Sequence, residues 1–289
     1  MSSVPLASSL EDEVAPETAA FYRRALQVLA DAAVPFLVGG AFAHACFTGI
    51  RRSTKDLDLF IRRADYDRVA ALMRAEGWRA ECTYPHWLAK VHSGEDFIDL
   101  IFNTGNGLMP VDDRWFHGNA RAEVLGVPVS ISNMEEGLLS KAFIMERERY
   151  DGADIAHLLR ANAEQIDWAS VLERIGAHWR VLLAHLTLFG FIYPGERHRI
   201  PRWLMDELIG RLAAETNQPV ADGPRICAGT LLSREQYLYD VEQLGYLDGR
   251  LTRASTMTAE DVAGWTEAIP ARHSEAGADD QPREQDRAV

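Results

Sequence analysis

Val38-Gly39-Gly40, then Arg51-Arg52-Ser53-Thr54-Lys55-Asp56-Leu57-Asp58-Leu59-Phe60, and further on Phe97-Ile98-Asp99-Leu100-Ile101, are the stretches on which the reading of this chain turns. Asp56 and Asp58 stand one residue apart in an apolar run. In a β-strand, residues i and i+2 share a face, so both carboxylates project together while Leu57 and Leu59 face the other way. Aspartate is disfavoured in strands, so strand propensity does not explain two of them on one face. Asp99 lies in a second apolar run, where a buried carboxylate is costly unless it is paired, metal-bound or near the strand's open end. Hard oxygen ligands suit Mg²⁺ carrying a substrate phosphate, and a third carboxylate from a neighbouring strand would complete a two-metal clamp. The chemistry this implies is nucleotidyl transfer.

Each motif also has a plainer reading. Gly39-Gly40 between a strand and a helix would let backbone N–H groups approach a phosphate, yet such turns also use glycine for steric reasons. No Gly-Lys-Ser/Thr follows, so it is not a Walker loop, and no Gly-x-Gly-x-x-Gly marks a dinucleotide site. Asp56-x-Asp58 is not the phosphatase Asp-x-Asp, which needs an apolar strand before its first aspartate; here Arg51 to Lys55 precede it. Asp96 would point away from Asp99, nearer a turn, and reads as solvated. His44 reads as packed or half-exposed rather than catalytic. Glu146 to Asp151 reads as a salt-bridged helix face worth little energy.

The 289 residues suffice for two ordinary domains, and 47% hydrophobic with 25% charged residues is the balance of a soluble globular protein. Cys46, Cys82 and Cys227 form no CxxC pair, which points to a reducing compartment. No basic and apolar leader opens the sequence, and the apolar run Val181 to Tyr193 is short for a bilayer, so the expectation is a cytoplasmic protein with no membrane partner. The net charge of −13 argues against a non-specific grip on nucleic acid, although Arg51, Arg52 and Lys55 form a local basic patch.

Short strands alternate with helices up to about Ser132. From Met134 on, nearly every segment has helical spacing, including Glu135 to Arg149 and Arg234 to Leu244. The expected class is therefore an α/β or α+β domain followed by an all-helical one. The expected boundaries are a flexible lead-in at 1–16, a catalytic domain at 17–133, a helical closing domain at 134–270 and a disordered acidic tail at 271–289.

Gly-Gly, then Arg-x-Ser/Thr-x-Asp-hydrophobic-Asp, then hydrophobic-Asp99-hydrophobic, resembles the DNA polymerase β-like nucleotidyltransferase superfamily over residues 34–102. It looks closest to the AbiEii-like, type IV toxin-like branch. A looser resemblance extends to Glu135–Lys141, Arg147 and Asp154. The resemblance implies a head with a mixed sheet and two Mg²⁺ ions held by Asp56, Asp58 and Asp99, with Asp99 also helping to deprotonate the attacking hydroxyl. It implies that Gly39, Gly40, Arg52, Ser53 and Lys141 bind an NTP, although for Lys141 alone a solvated helix-face lysine is the plainer reading. NMP would pass to a hydroxyl acceptor with release of pyrophosphate. The acceptor would be tRNA for an AbiEii-like toxin, which implies an antitoxin partner, or a small molecule such as an aminoglycoside or lincosamide. A non-catalytic module that binds a nucleotide or a protein partner is the reading from a different class.

Overall fold

The structure, a computed structural model, describes residues 14–51, 56–147, 149–219 and 223–268. Arg52, Ser53 and the tail at 271–289 lie outside the described residues.

The first helix, α1 (Pro16–Asp31), begins at a proline whose fixed φ suits the first turn, with Glu17 at its positive end. It buries Phe21, Tyr22, Ala25, Leu26 and Leu29 on one face. A two-residue strand, β1 (Leu37–Val38), leads through Gly39 into α2 (Gly40–Thr48). Then come β2 (Asp56–Phe60), α3 (Tyr66–Ala75), β3 (Arg79–Tyr84), β4 (Leu88–Ser93) and β5 (Asp96–Ile101). These strands form one five-stranded sheet in the order β1-β2-β5-β4-β3. The β2–β5 pairing is parallel and the other three are antiparallel, so the sheet is mixed, as expected. Parallel neighbours need a long crossover, which α3, β3 and β4 supply. Leu57, Leu59, Ile98 and Leu100 point into a core shared with α1 and α3. The period-2 alternation then commits Asp56, Asp58 and Asp99 to the opposite face.

A hairpin of β6 (Arg121–Val124) and β7 (Val127–Ser130) follows, the latter bridged to β1 through Val38 and Ile131. Next come α4 (Met134–Ala142), α5 (Gly152–Asn162), α6 (Trp168–Ile175), α7 (Trp179–Ile192) and α8 (Arg202–Thr216), which share a second core. The fold is thus mixed α/β with a helical C-terminal part. Within that part a short parallel pair interrupts the helices: β8 (Ile226–Cys227), separated by α9 (Leu238–Glu242) from β9 (Leu247–Asp248). The last described helix is α10 (Ala259–Glu267), whose start is fixed by a Thr258–Asp261 capping box.

Three sequence expectations are corrected. The helix expected to run from Glu135 to Arg149 ends at Ala142, and the chain then loops out with Met145 and Tyr150 bridged. Tertiary contacts override helix propensity there: Arg147 N–H donates to the Leu232 carbonyl, and Glu146 pairs with Arg234. The described residues Glu146, Arg147, Arg149, Tyr150 and Asp151 therefore form no helix face. The helix expected over Arg234–Leu244 shrinks to Leu238–Glu242, because Ser233 and Arg234 are buried in contacts of their own. Asp96 is not simply solvated; it accepts a hydrogen bond from Thr18 at 2.9 Å.

The segment Trp168–Ile192 is long and apolar enough to cross a membrane by length and composition. It is broken at Gly176 (φ 49°, ψ −120°), and Trp168, Val171, Trp179, Leu182 and Phe189 lie in the second core.

Glu136 of α4 and Arg174 of α6 form an ion pair whose side chains are only 4% and 6% exposed. Removing one partner of such a pair strands a buried charge. Arg174→Met is expected to lower stability by about 3–5 kcal/mol, seen as a fall in urea midpoint at unchanged m-value. A midpoint within error of wild type would count against any structural role for the pair.

Candidate active site

The β2–β5 register sets Asp58 directly beside Asp99 and Asp56 beside Phe97. Asp56, Asp58 and Asp99 bring carboxylate oxygens within 4.8 Å of one another. Burial, followed by the charges of Asp56 and Asp99, pushes the Asp58 carboxyl up to about 7. Lys141 and Arg149 pull it back only partly. Burial also raises Asp99, against the opposing hydrogen bond from Lys90 Nζ at 2.5 Å. Three crowded carboxylates, one of them held near neutral pH by burial first and by its neighbours' charges second, are a donor set that a hard dication would relieve. Their residue types and spacing fit Mg²⁺.

The paired glycines are dictated by this crowding. Gly40, the first residue of α2, has φ +51°, and a Cβ there would stand 1.7 Å from Asp58 Oδ2. A Cβ on Gly39 would meet the Phe60 ring at 2.3 Å. Gly39 N–H donates to the Asp58 carbonyl at 2.9 Å, and it is Gly40, not Gly39, that lines the cavity above the carboxylates. The α2 N-terminus thus abuts the carboxylate cluster, and its positive end favours negative charge there.

That cavity, about 380 Å³, is where the sheet face meets the helical part. Lys141 lines it, but not as a solvated lysine: Nζ sits 2.9 Å from Asp151 Oδ2 and 2.7 Å from Asp154 Oδ2. Its burial opposes the charge, yet the two carboxylates prevail and hold its pKa up. Arg149 shares Asp151 at 3.2 Å. The structure therefore brings Asp56, Asp58, Asp99, Gly40 and Lys141 to one cavity. Arg52 and Ser53 lie outside the described residues. His44 is 8% exposed and, with Asp154 and His157, forms a second group with ligand atoms within 4.8 Å; Lys141 already pairs with that aspartate.

Several cavity residues had no weight in the sequence reading. Arg234 and Trp265 line the cavity together with Trp87. The Arg234 guanidinium lies 4.1 Å over the Trp265 ring, donates to the Trp265 carbonyl at 2.8 Å and pairs with Glu146 at 3.0 Å. Tyr84 and Trp87 meet the same indole edge-on. Nothing local in the sequence announces these contacts, which join residues far apart in the chain. Lys90 did leave a signal: a lone cation in the apolar stretch Leu88-Ala89-Lys90-Val91.

A mixed sheet that presents three carboxylates beneath a glycine-opened helix, with a helical part bordering the same cavity, fits one class of enzyme, a nucleotidyltransferase. The chain belongs to a family described as uncharacterised nucleotidyltransferases, which it matches over residues 21–188. No curated protein matches it. Among solved structures it is similar to the antibiotic-resistance factor ANT(2'')-Ia, at 15% identity over 69% of this chain and 95% of that one, with a TM-score of 0.37. It is similar to the lincosamide antibiotic adenylyltransferase LnuA, at 16% identity over 52% and 99%, with a TM-score of 0.37. It is also similar to the Megavirus polyadenylate synthase, at 14% identity over 54% and 35%, with a TM-score of 0.36.

Proposed function

We propose that this chain transfers a nucleoside monophosphate from an NTP to the hydroxyl of a small acceptor, with Mg²⁺ held by Asp56, Asp58 and Asp99. The convergence of those three carboxylates in one cavity is the observation that carries the reading. When bound, the metal would neutralise phosphate charge and polarise the α-phosphorus. Asp99 takes the acceptor's proton as its oxygen attacks that phosphorus. The bond to the bridging oxygen breaks, and its electron pair leaves with pyrophosphate. Lys141 and Arg149 supply positive charge beside the triphosphate, and the first-turn amides of α2 add their dipoles. In this reading 17–133 is the catalytic domain and 134–270 closes over it. The NTP requirement and the free cysteines Cys46, Cys82 and Cys227 suit the cytoplasm.

The acceptor side favours a small, cationic, hydroxylated molecule. Trp87 and Trp265 wall the cavity. Among the described residues lining it, the six acidic side chains, three of them assigned here to Mg²⁺, exceed the three basic ones, Lys141, Arg149 and Arg234, which pair with Asp151, Asp154 and Glu146. An AbiEii-like toxin acting on tRNA, with a cognate antitoxin, is the reading the sequence resemblance favours and makes the opposite forecast. Pyrophosphate release with each of the four NTPs and Mg²⁺ separates the two, against aminoglycosides and lincosamides in one arm and pooled tRNA in the other. Release with the small molecules, lost in Asp56→Asn/Asp58→Asn, is the expected result. Release with tRNA alone, falling steeply with salt, would replace the small acceptor by RNA. NTP binding without release in either arm would favour the binding-module reading.

A further inference from the structure

Lys90 stands on β4 directly across from Asp99 on β5. Its Nζ donates to Asp99 Oδ1 at 2.5 Å and lies 3.9 Å from the centroid of the Phe97 ring. Phe97 is the register partner of Asp56, so the ammonium is gripped at the junction of both aspartate rows. The lysine side chain is 22% exposed and the aspartate 13%, so water screens the pair only partly. Across β3 the register partner of Lys90 is Glu81, whose carboxylate is paired with Arg79, whereas the lysine ammonium bonds to Asp99. Lys90 is not among the residues lining the cavity, whereas Asp99 is. It therefore reaches the cavity only through Asp99.

We propose that Lys90 is the positioning residue for Asp99, holding one carboxylate oxygen from behind so that the other is presented to the divalent ion shared with Asp56 and Asp58. This rests on the reading of the three carboxylates as metal ligands. Two physical effects oppose each other here. A cation near a metal site weakens metal binding by repulsion. A partner that orients a ligating carboxylate strengthens it, and removing such partners typically costs about 10- to 100-fold in metal affinity. Which effect wins has an observable sign.

The test is Mn²⁺ binding to the full chain, followed by calorimetry and by electron paramagnetic resonance, in Lys90→Met, Lys90→Arg, Asp99→Asn and Asp58→Asn. Methionine keeps the unbranched stem against Phe97 and removes the charge and the donors. The expected result is Mn²⁺ affinity about tenfold weaker in Lys90→Met, approaching Asp99→Asn, with most of it restored by Lys90→Arg. Once an acceptor is in hand, kcat should fall while KM for the NTP stays within about twofold. Unchanged or tighter Mn²⁺ binding in Lys90→Met would show that the lysine acts as nearby charge alone and overturn the proposal. Mn²⁺ binding that survives undiminished in Asp58→Asn would instead overturn the carboxylate reading, and with it the role assigned to Lys90. Thermal melts of each variant separate lost binding from lost folding.

Discussion

Asp58→Asn is expected to remove pyrophosphate release, by about 10³-fold or more, while making the metal-free protein more stable at pH 8. Both effects follow from the same crowding. In the fold the Asp58 carboxyl sits at about 7, against an ordinary value of 3.8. The folded state therefore favours the protonated form, and stability from this group is fully present below the unfolded value and lost as pH rises through the folded one. At pH 8 the wild type bears the whole penalty of a buried charge facing Asp56 and Asp99, and asparagine bears none of it. The variant should melt higher at pH 8, on the order of 2 kcal/mol or roughly 5 °C, and the gap should close by about pH 4. Mg²⁺ at pH 8 should raise the wild-type melting temperature and leave the variant nearly unmoved. Melting curves at pH 4, 6 and 8, with and without Mg²⁺, check the set. A variant that melts lower than wild type at pH 8 would refute the electrostatic account, and retained activity would refute the ligand role.

Gly40→Ala should do more damage than its single methyl suggests. The residue sits at φ +51°, and the new Cβ would fall 1.7 Å from Asp58 Oδ2, well inside contact distance. Either α2 shifts away from the sheet or the Asp58 carboxylate rotates out of the cluster. We expect a stability loss of about 2–4 kcal/mol and an activity loss of about 100-fold, the usual cost of displacing a catalytic group by an ångström. Gly49→Ala at the other end of the same helix is the control. Its φ is +70°, yet nothing lies within 4 Å of the added Cβ. That variant should lose only about 1–2 kcal/mol and keep its activity. Equal effects at the two glycines would mean that backbone strain, not the approach of Gly40 to Asp58, sets the outcome.

The alternation Asp56-Leu57-Asp58-Leu59 made the strand and its two faces readable, because period-2 patterning reports directly on burial. Asp99 was readable for the same reason, as a charge embedded in an apolar run. What patterning does not carry is which strand lies beside which. The Lys90–Asp99 bond depends on β4 and β5 being neighbours in one register, a fact of pairing and not of either segment alone. Lys141 was singled out only through the family resemblance, its helix position alone suggesting a solvated lysine, and its two aspartate partners follow from the loop after Ala142, which the helical spacing of Glu135 to Arg149 concealed. The Arg234 and Trp265 part of the cavity lining was least legible. The 255–257 segment is tied to the loop after β5 by Asn103–Thr256 and Ser255–Asn106 hydrogen bonds, across some 150 positions of chain.

That part of the lining has a consequence for how such proteins diversify. The matched family region ends at residue 188, whereas Arg234 and Trp265 come after it. The carboxylates and these two cavity-lining side chains are thus written in separate stretches of one sequence. An exchange of sequence downstream of 188 would alter the Arg234 and Trp265 part of the cavity lining and leave Asp56, Asp58 and Asp99 untouched. A fragment trimmed to the shared region would keep the three carboxylates and lose Arg234 and Trp265 from the cavity lining.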